Sequence, residues 1–230
     1  MCFSAPASFG VASVLGLAGV GAIGKVSERR EIPLASVPLV FAAQQATEGA
    51  LWLALGNESL SRWAIPLANA FMVSALVVWP LWAPLAVMLV ERDRLRRLAM
   101  IVILIVAIPL AVRGISGMSA QLYEACVVHN SISYSNGWPY LPRQFAAYVL
   151  CSCFPFLLSS HRTLRIFGVI VLAGLIISAS VYTYAYVSVW CFFAAAGSLT
   201  IYLHFARAQS ERATASALKR RDGPISRRGR

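Results

Sequence analysis

The chain has 230 residues, of which 59% are hydrophobic and only 13% charged, and its mean hydropathy is +0.69. A soluble domain averages roughly 45–50% apolar and about 25% charged residues, so a water-soluble globular class is excluded. The net charge of +11 does not imply nucleic acid, because Lys and Arg sit in short connectors and a tail rather than on a domain face; cytoplasmic loops and anionic lipid headgroups are the expected partners.

Apolar stretches of about 18 or more residues read as membrane spans. Seven are predicted, at 5–23, 32–55, 64–90, 98–118, 144–159, 166–184 and 186–205. The first opens MCFSAPASFGVASVLG and meets no charge before Lys25. A signal peptide needs a charged start and a small-residue cleavage site, so this segment is expected to be a retained span with its N-terminus outside. The third and fourth spans carry prolines and the fifth holds Pro155; neighbouring helices can satisfy the backbone groups that a proline frees.

The connectors KVSERRE (25–31), ERDRLRR (91–97) and SHRTLR (160–165), with the tail from Arg207, hold most of the Lys and Arg. The alternate connectors GNESLSRW (56–63) and the join at 184–186 share a single Arg. Positive residues mark the cytoplasmic side, which predicts an outward N-terminus and an inward C-terminus. The expected architecture is an all-α polytopic membrane bundle over residues 1–206 with a basic, disordered cytoplasmic tail over 207–230, in the bacterial inner membrane.

Two ionisable residues fall inside predicted spans, Glu48 in FAAQQATEGALW and Arg113 in AIPLAVRGISG. At 1.5 Å per residue they lie about 24 and about 22 Å from the inner ends of their spans, which is a similar depth in the outer third. Intramembrane charges face a bundle interior, pair, or line a cavity. Gln44, Gln45 and Trp52 share or flank the face of Glu48, Asn69 in LANAF is a candidate partner, and Gly49 allows close approach of a helix or ligand. These residues form either a structural ion pair or a site for a small solute, ion or proton.

The longest connector, 119–143, is rich in aromatic and hydrogen-bonding residues, among them Tyr123, Glu124, His129, Asn130, Tyr134, Asn136, Trp138 and Tyr140. It reads as an interfacial aromatic belt or as a cap over the Glu48 cavity. Cys2, Cys126, Cys151, Cys153 and Cys191 all fall outside or in outer halves of spans, so Cys2–Cys126 is a candidate disulfide. Cys2, Cys126 and His129 are also candidate metal ligands, although the C-x-x-H spacing at 126–129 is a weak match. Cys151, Cys153 and Cys191 read as small packing residues, and His161 and His204 as interfacial. No Gly-rich phosphate loop, G-x-S-x-G or grouped Ser, His and acid is present.

MCFSA followed by QQATEGALW resembles an uncharacterised family of bacterial multi-pass membrane proteins. The resemblance runs through the seventh span and leaves out the basic tail. It points to Cys2, Gln45, Glu48 and Trp52 and implies no chemistry. If Met1 is removed, Cys2 presents both an amine and a thiol, a chelator or nucleophile; its plainer role is a disulfide anchor. Three functions remain open: binding or movement of a small solute or ion at an outward-facing polar site, a metal- or thiol-dependent membrane enzyme using Cys2 and His129 with Glu48 as acid/base, and a structural subunit.

Overall fold

A computed structural model of the chain describes residues 4–137 and 141–221. The protein is an all-α bundle with one small hairpin. Its helices are α1 (Ala5–Ile23), α2 (Ile32–Ala35), α3 (Val37–Gly56), α4 (Ala64–Val73), α5 (Trp79–Val90), α6 (Arg94–Ala120), α7 (Pro142–Leu158), α8 (Arg162–Val181), α9 (Tyr186–Gly197) and α10 (Leu199–Arg221). Strands β1 (Glu124–Val128) and β2 (Ser131–Ser135) pair antiparallel between α6 and α7.

Five helical stretches among the described residues are long and apolar enough to cross a membrane: Ala5–Ile23, Glu58–Val90, Arg94–Ala120, Arg162–Val181 and Tyr186–Ser216. Two of the seven expected spans fall short of that standard for different reasons. The helix Val37–Gly56 carries Gln44, Gln45 and Glu48, which lower its hydropathy, and Pro142–Leu158 has only 17 residues. The outward surface is apolar: Val102, Ile105, Ile108, Val112 and Ile115 along α6 are each at least half exposed. Such a stripe is a liability in water and the expected surface against acyl chains.

Local sequence explains the breaks. Ser4 caps α1 by accepting from the Ala7 N–H at 3.4 Å, and Asp93 caps α6 by accepting from Arg96 N–H at 2.9 Å, the usual role of short polar side chains at helix starts. Between α4 and α5 the chain makes a π turn over Ser74–Val78, in which Trp79 N–H reaches back five residues to Ser74 O. The next donor in that register would be Pro80, which has no N–H. The Ala75 carbonyl instead accepts the Tyr148 hydroxyl at 2.8 Å, so a proline-induced defect ties α7 to the third segment.

α1 and α3 pack as an antiparallel pair, with Gly19 against Leu39 and Gly49 against Phe9. Small residues at such crossings let membrane helices approach closely. The close approach expected at Gly49 is therefore filled by Phe9 of α1. α9 packs on α8 and α3, and β2 lies on α9.

The segment from Arg207 is helical as far as Arg221, where the sequence led us to expect disorder. Its Ala, Arg, Gln and Glu residues favour helix, and Arg212 reaches Glu31 at 3.4 Å. Residues 222–230 lie outside the described residues.

At the basic end, Glu91 follows α5 and is 3% exposed. Its carboxylate accepts from Ser160 N–H (2.8 Å), Ser160 Oγ (2.7 Å), Ser159 Oγ (3.3 Å) and the Arg92 and Asp93 N–H groups (3.0 and 3.1 Å). Burial opposes its ionisation, but the hydrogen bonds from Ser160, Asp93 and Arg92 prevail and hold its pKa down to about 2, against an ordinary 4.5. A depressed carboxyl stabilises the fold above its ordinary pKa, and that contribution disappears as pH falls through the folded value. Glu91→Gln is therefore expected to lower the unfolding midpoint at neutral pH, and the gap to wild type should close between pH 4.5 and about 2. Melts in detergent across that range would test this; a gap independent of pH would contradict it.

Candidate functional site

The polar stripe of α3 is wholly inside the bundle: Gln44 is 1% exposed, and Gln45 and Glu48 are 0% exposed. Spacings of three and four residues place all three on neighbouring rows of one helix. Glu48 Oε1 accepts from Ser188 Oγ at 2.6 Å and from the Tyr134 hydroxyl at 3.4 Å, while Oε2 accepts from Gln45 Nε2 at 3.4 Å. Gln44 Oε1 accepts from Trp79 Nε1 at 2.6 Å. One carboxylate thus joins α3, α9 and the hairpin, and its neighbour Gln44 joins α3 to α5.

Some hydrogen-bonding capacity on this stripe is unused. Gln44 Nε2, Gln45 Oε1, Trp52 Nε1 and Ser8 Oγ are buried without a partner. Buried polar atoms are nearly always satisfied by protein, water or a bound group, and four such atoms on α1 and α3 mark this as a place where polar matter is accommodated.

Beside it lies a cavity of about 230 Å³ lined by residues of α4, the π turn, the hairpin, α7 and α9, including Tyr123, Tyr134, Asn136, Tyr148, Tyr186 and Trp190. Tyr134 lines this space and also reaches Glu48. Its ring stacks on Phe71, with centroids 4.8 Å apart and planes 3° from parallel. The cavity is small beside typical drug-sized pockets of about 300–1,000 Å³, which sets the size of any guest.

The hairpin holds Tyr134 in place. His129 and Asn130 both have positive φ, 46° and 57°, between the paired residues Val128 and Ser131. Two central residues of that kind make the tight turn whose twist suits a two-residue hairpin. The register places Ile132 and Tyr134 two apart on one strand and so on one face; Ile132 packs with Leu51 and Ala68.

The other expected residues are distributed around this centre. Arg113 lines a separate recess with Leu76, Tyr123 and Gln144, and Tyr123 and Leu76 form the wall it shares with the main cavity. Burial raises the Tyr123 phenol above its usual pKa, with nearby Tyr186 adding to the effect and Arg113 opposing it. Asn69 takes up the loop backbone: its amide donates to Tyr123 O at 3.0 Å and accepts from Tyr123 N–H at 3.0 Å. It positions Tyr123 where a direct contact with Glu48 was expected. Trp52 lies one turn beyond Glu48 and packs with Leu51, Ala68 and Ile132.

Cys126 is an exposed free thiol on β1, and the His129 ring meets Tyr184 with centroids 5.3 Å apart. Cys2, Trp138 and Tyr140 lie outside the described residues. Among the described residues no three His, Cys, Asp or Glu side chains converge as a metal site would require. Cys151, Cys153 and Cys191 are buried, and the Cys151 thiol donates to the Ile103 carbonyl at 3.7 Å.

Sequence reasoning did not find Ser188, Trp79 or Cys191. Ser188 and Cys191 are three apart on α9 and share a face, a spacing visible in YVSVWC, but nothing in the chain announces that this face meets α3. The hairpin was also missed, although EACVV and SISYS are rich in strand formers and flank the dipeptide HN.

No curated protein and no solved structure matches the chain. The chain belongs to DUF6629, a family of unknown function, over residues 1–217, in agreement with the expectation of an uncharacterised family.

Proposed function

We propose that this DUF6629 member is a multi-pass protein of the cell membrane that binds or moves a small solute or ion, using Glu48 and the aromatic cavity beside it. The carrying observation is Tyr134, which lines the cavity and reaches the wholly buried Glu48 at 3.4 Å. A buried carboxylate is costly in a membrane and is usually retained for function. Glu48 carries the charge, Gln44 and Gln45 supply unused hydrogen-bonding capacity, and Arg113 contributes a positive field from behind Tyr123.

The hairpin end faces outward and the basic connectors face the cytoplasm. That orientation rests on the placement of Lys and Arg, which also gives the basic end its affinity for anionic headgroups. An impermeant maleimide should label Cys126 in intact cells after mild reduction; labelling only after lysis would reverse the orientation.

Native mass spectrometry with elemental analysis of gently purified protein tests the site. Wild type is expected to carry a small molecule or ion that is lost in Glu48→Gln while the variant still inserts. Empty masses for both would overturn the reading. A metal lost in Cys2→Ser but retained in Glu48→Gln would replace it with a metal- or thiol-dependent centre.

A further inference from the structure

We propose that the guest of this cavity carries an organic ammonium group, primary or quaternary; this rests on the reading of the cavity as a solute site and names its ligand class. Six of the thirteen described residues lining the space are aromatic: Tyr123, Tyr134, Phe145, Tyr148, Tyr186 and Trp190. Their arrangement is as telling as their number. Tyr148 and Trp190 meet edge to face, with centroids 5.3 Å apart and planes at 73°. Phe145 and Tyr186 do the same at 6.2 Å and 78°. Two perpendicular ring pairs make two corners of a box, the geometry in which a compact cation touches several ring faces at once.

Charge points the same way. Among the described residues, no Lys, Arg, His, Asp or Glu lines the cavity. Behind one wall, the hydroxyl of the lining residue Tyr134 donates to the Glu48 carboxylate at 3.4 Å. Arg113 lines the adjoining recess instead, with Tyr123 between. A bare metal ion would need a shell of oxygen ligands, and rings dominate here. A neutral guest can donate a hydrogen bond to the carboxylate but leaves its charge without a counter-charge. An anion would meet ring faces and Glu48, both repulsive. An alkylated ammonium group uses rings and carboxylate together, and its bulk suits about 230 Å³.

Trp190 and Tyr148 also line a second, smaller void of about 30 Å³ toward Phe41, Phe156 and Phe167. Ser152 lines that void too; it is 7% exposed, and its hydroxyl has no partner. The aromatic pair therefore forms the inner wall of the box, and among the described residues it is what the two spaces share.

The test compares choline with its uncharged carbon isostere, 3,3-dimethylbutan-1-ol, by titration calorimetry and saturation-transfer NMR on the full chain in lipid nanodiscs. Choline is expected to bind at least about tenfold more tightly than the isostere. Tyr186→Phe should keep that preference, since the ring face remains, and Tyr186→Leu should lose most of it. Equal binding of both probes to wild type would overturn the ammonium assignment and leave an apolar pocket. A neutral or anionic co-purified ligand that depends on Glu48 would overturn it too, while upholding the solute site. Failure of both probes together with an empty native mass would remove both proposals.

Discussion

Gly19→Val is expected to be the most destabilising single substitution in the first helix, at about 3 kcal/mol. A Cβ at Gly19 would lie 2.5 Å from Leu39 Cγ and 2.9 Å from the Leu39 backbone nitrogen. The side chain could change rotamer, but the backbone of α3 cannot retreat without pulling the Gln44–Glu48 stripe with it. Helix pairs in membranes have little hydrophobic drive between them and depend on this close packing. Gly16 is the control, because nothing lies within 4 Å of a Cβ there. Detergent melts followed by tryptophan fluorescence should show a large shift for Gly19→Val and almost none for Gly16→Val. Equal shifts would mean that helix propensity, and not the α1–α3 contact, sets the outcome.

The second large effect separates folding from binding at Glu48. Truncation to alanine removes the acceptor of Ser188, Gln45 and Tyr134. Ser188 and Gln45 are 0% exposed, so their donors find no bulk water, and each group left unsatisfied costs about 1–3 kcal/mol. Glutamine keeps a carbonyl where Oε1 accepts from Ser188 and removes a charge whose burial is itself costly. Glu48→Gln is thus expected to melt within about 1 kcal/mol of wild type, and Glu48→Ala about 2–4 kcal/mol below it. Both should lose the bound guest. If both variants melt alike, the Ser188 contact carries little of the fold; if Glu48→Gln keeps its guest, the carboxylate is not what recognises it.

How much of this was legible in the sequence depends on the range of the interaction concerned. Helix positions follow from runs of apolar residues and from prolines and caps nearby in the chain, so α1, α6 and α8 stood close to their expected places. The inward-facing polar stripe was legible for the same reason: Gln44, Gln45 and Glu48 repeat at helical spacing, and no lipid-facing helix tolerates them. The tail was misjudged up to Arg221 because its charge was weighed above its helix propensity and above a contact to Glu31 that lies 181 positions away.

The partners of Glu48 were out of reach. Equal depth in the membrane made Arg113 a candidate, but depth is one coordinate; Arg113 lines a recess together with Tyr123. Ser188 lies 140 residues from Glu48 and Tyr134 lies 86 away. Ser188 reaches Glu48 only because α9 packs on α3, and Tyr134 because a hairpin turned by His129 and Asn130 hangs over the bundle. The sequence alone determined that this is a membrane bundle with a polar centre on its second segment, since burying a carboxylate among lipids costs the same whatever the fold. The tertiary structure alone decided what that centre faces, since helix rotation and strand register are set by packing between segments far apart in the chain.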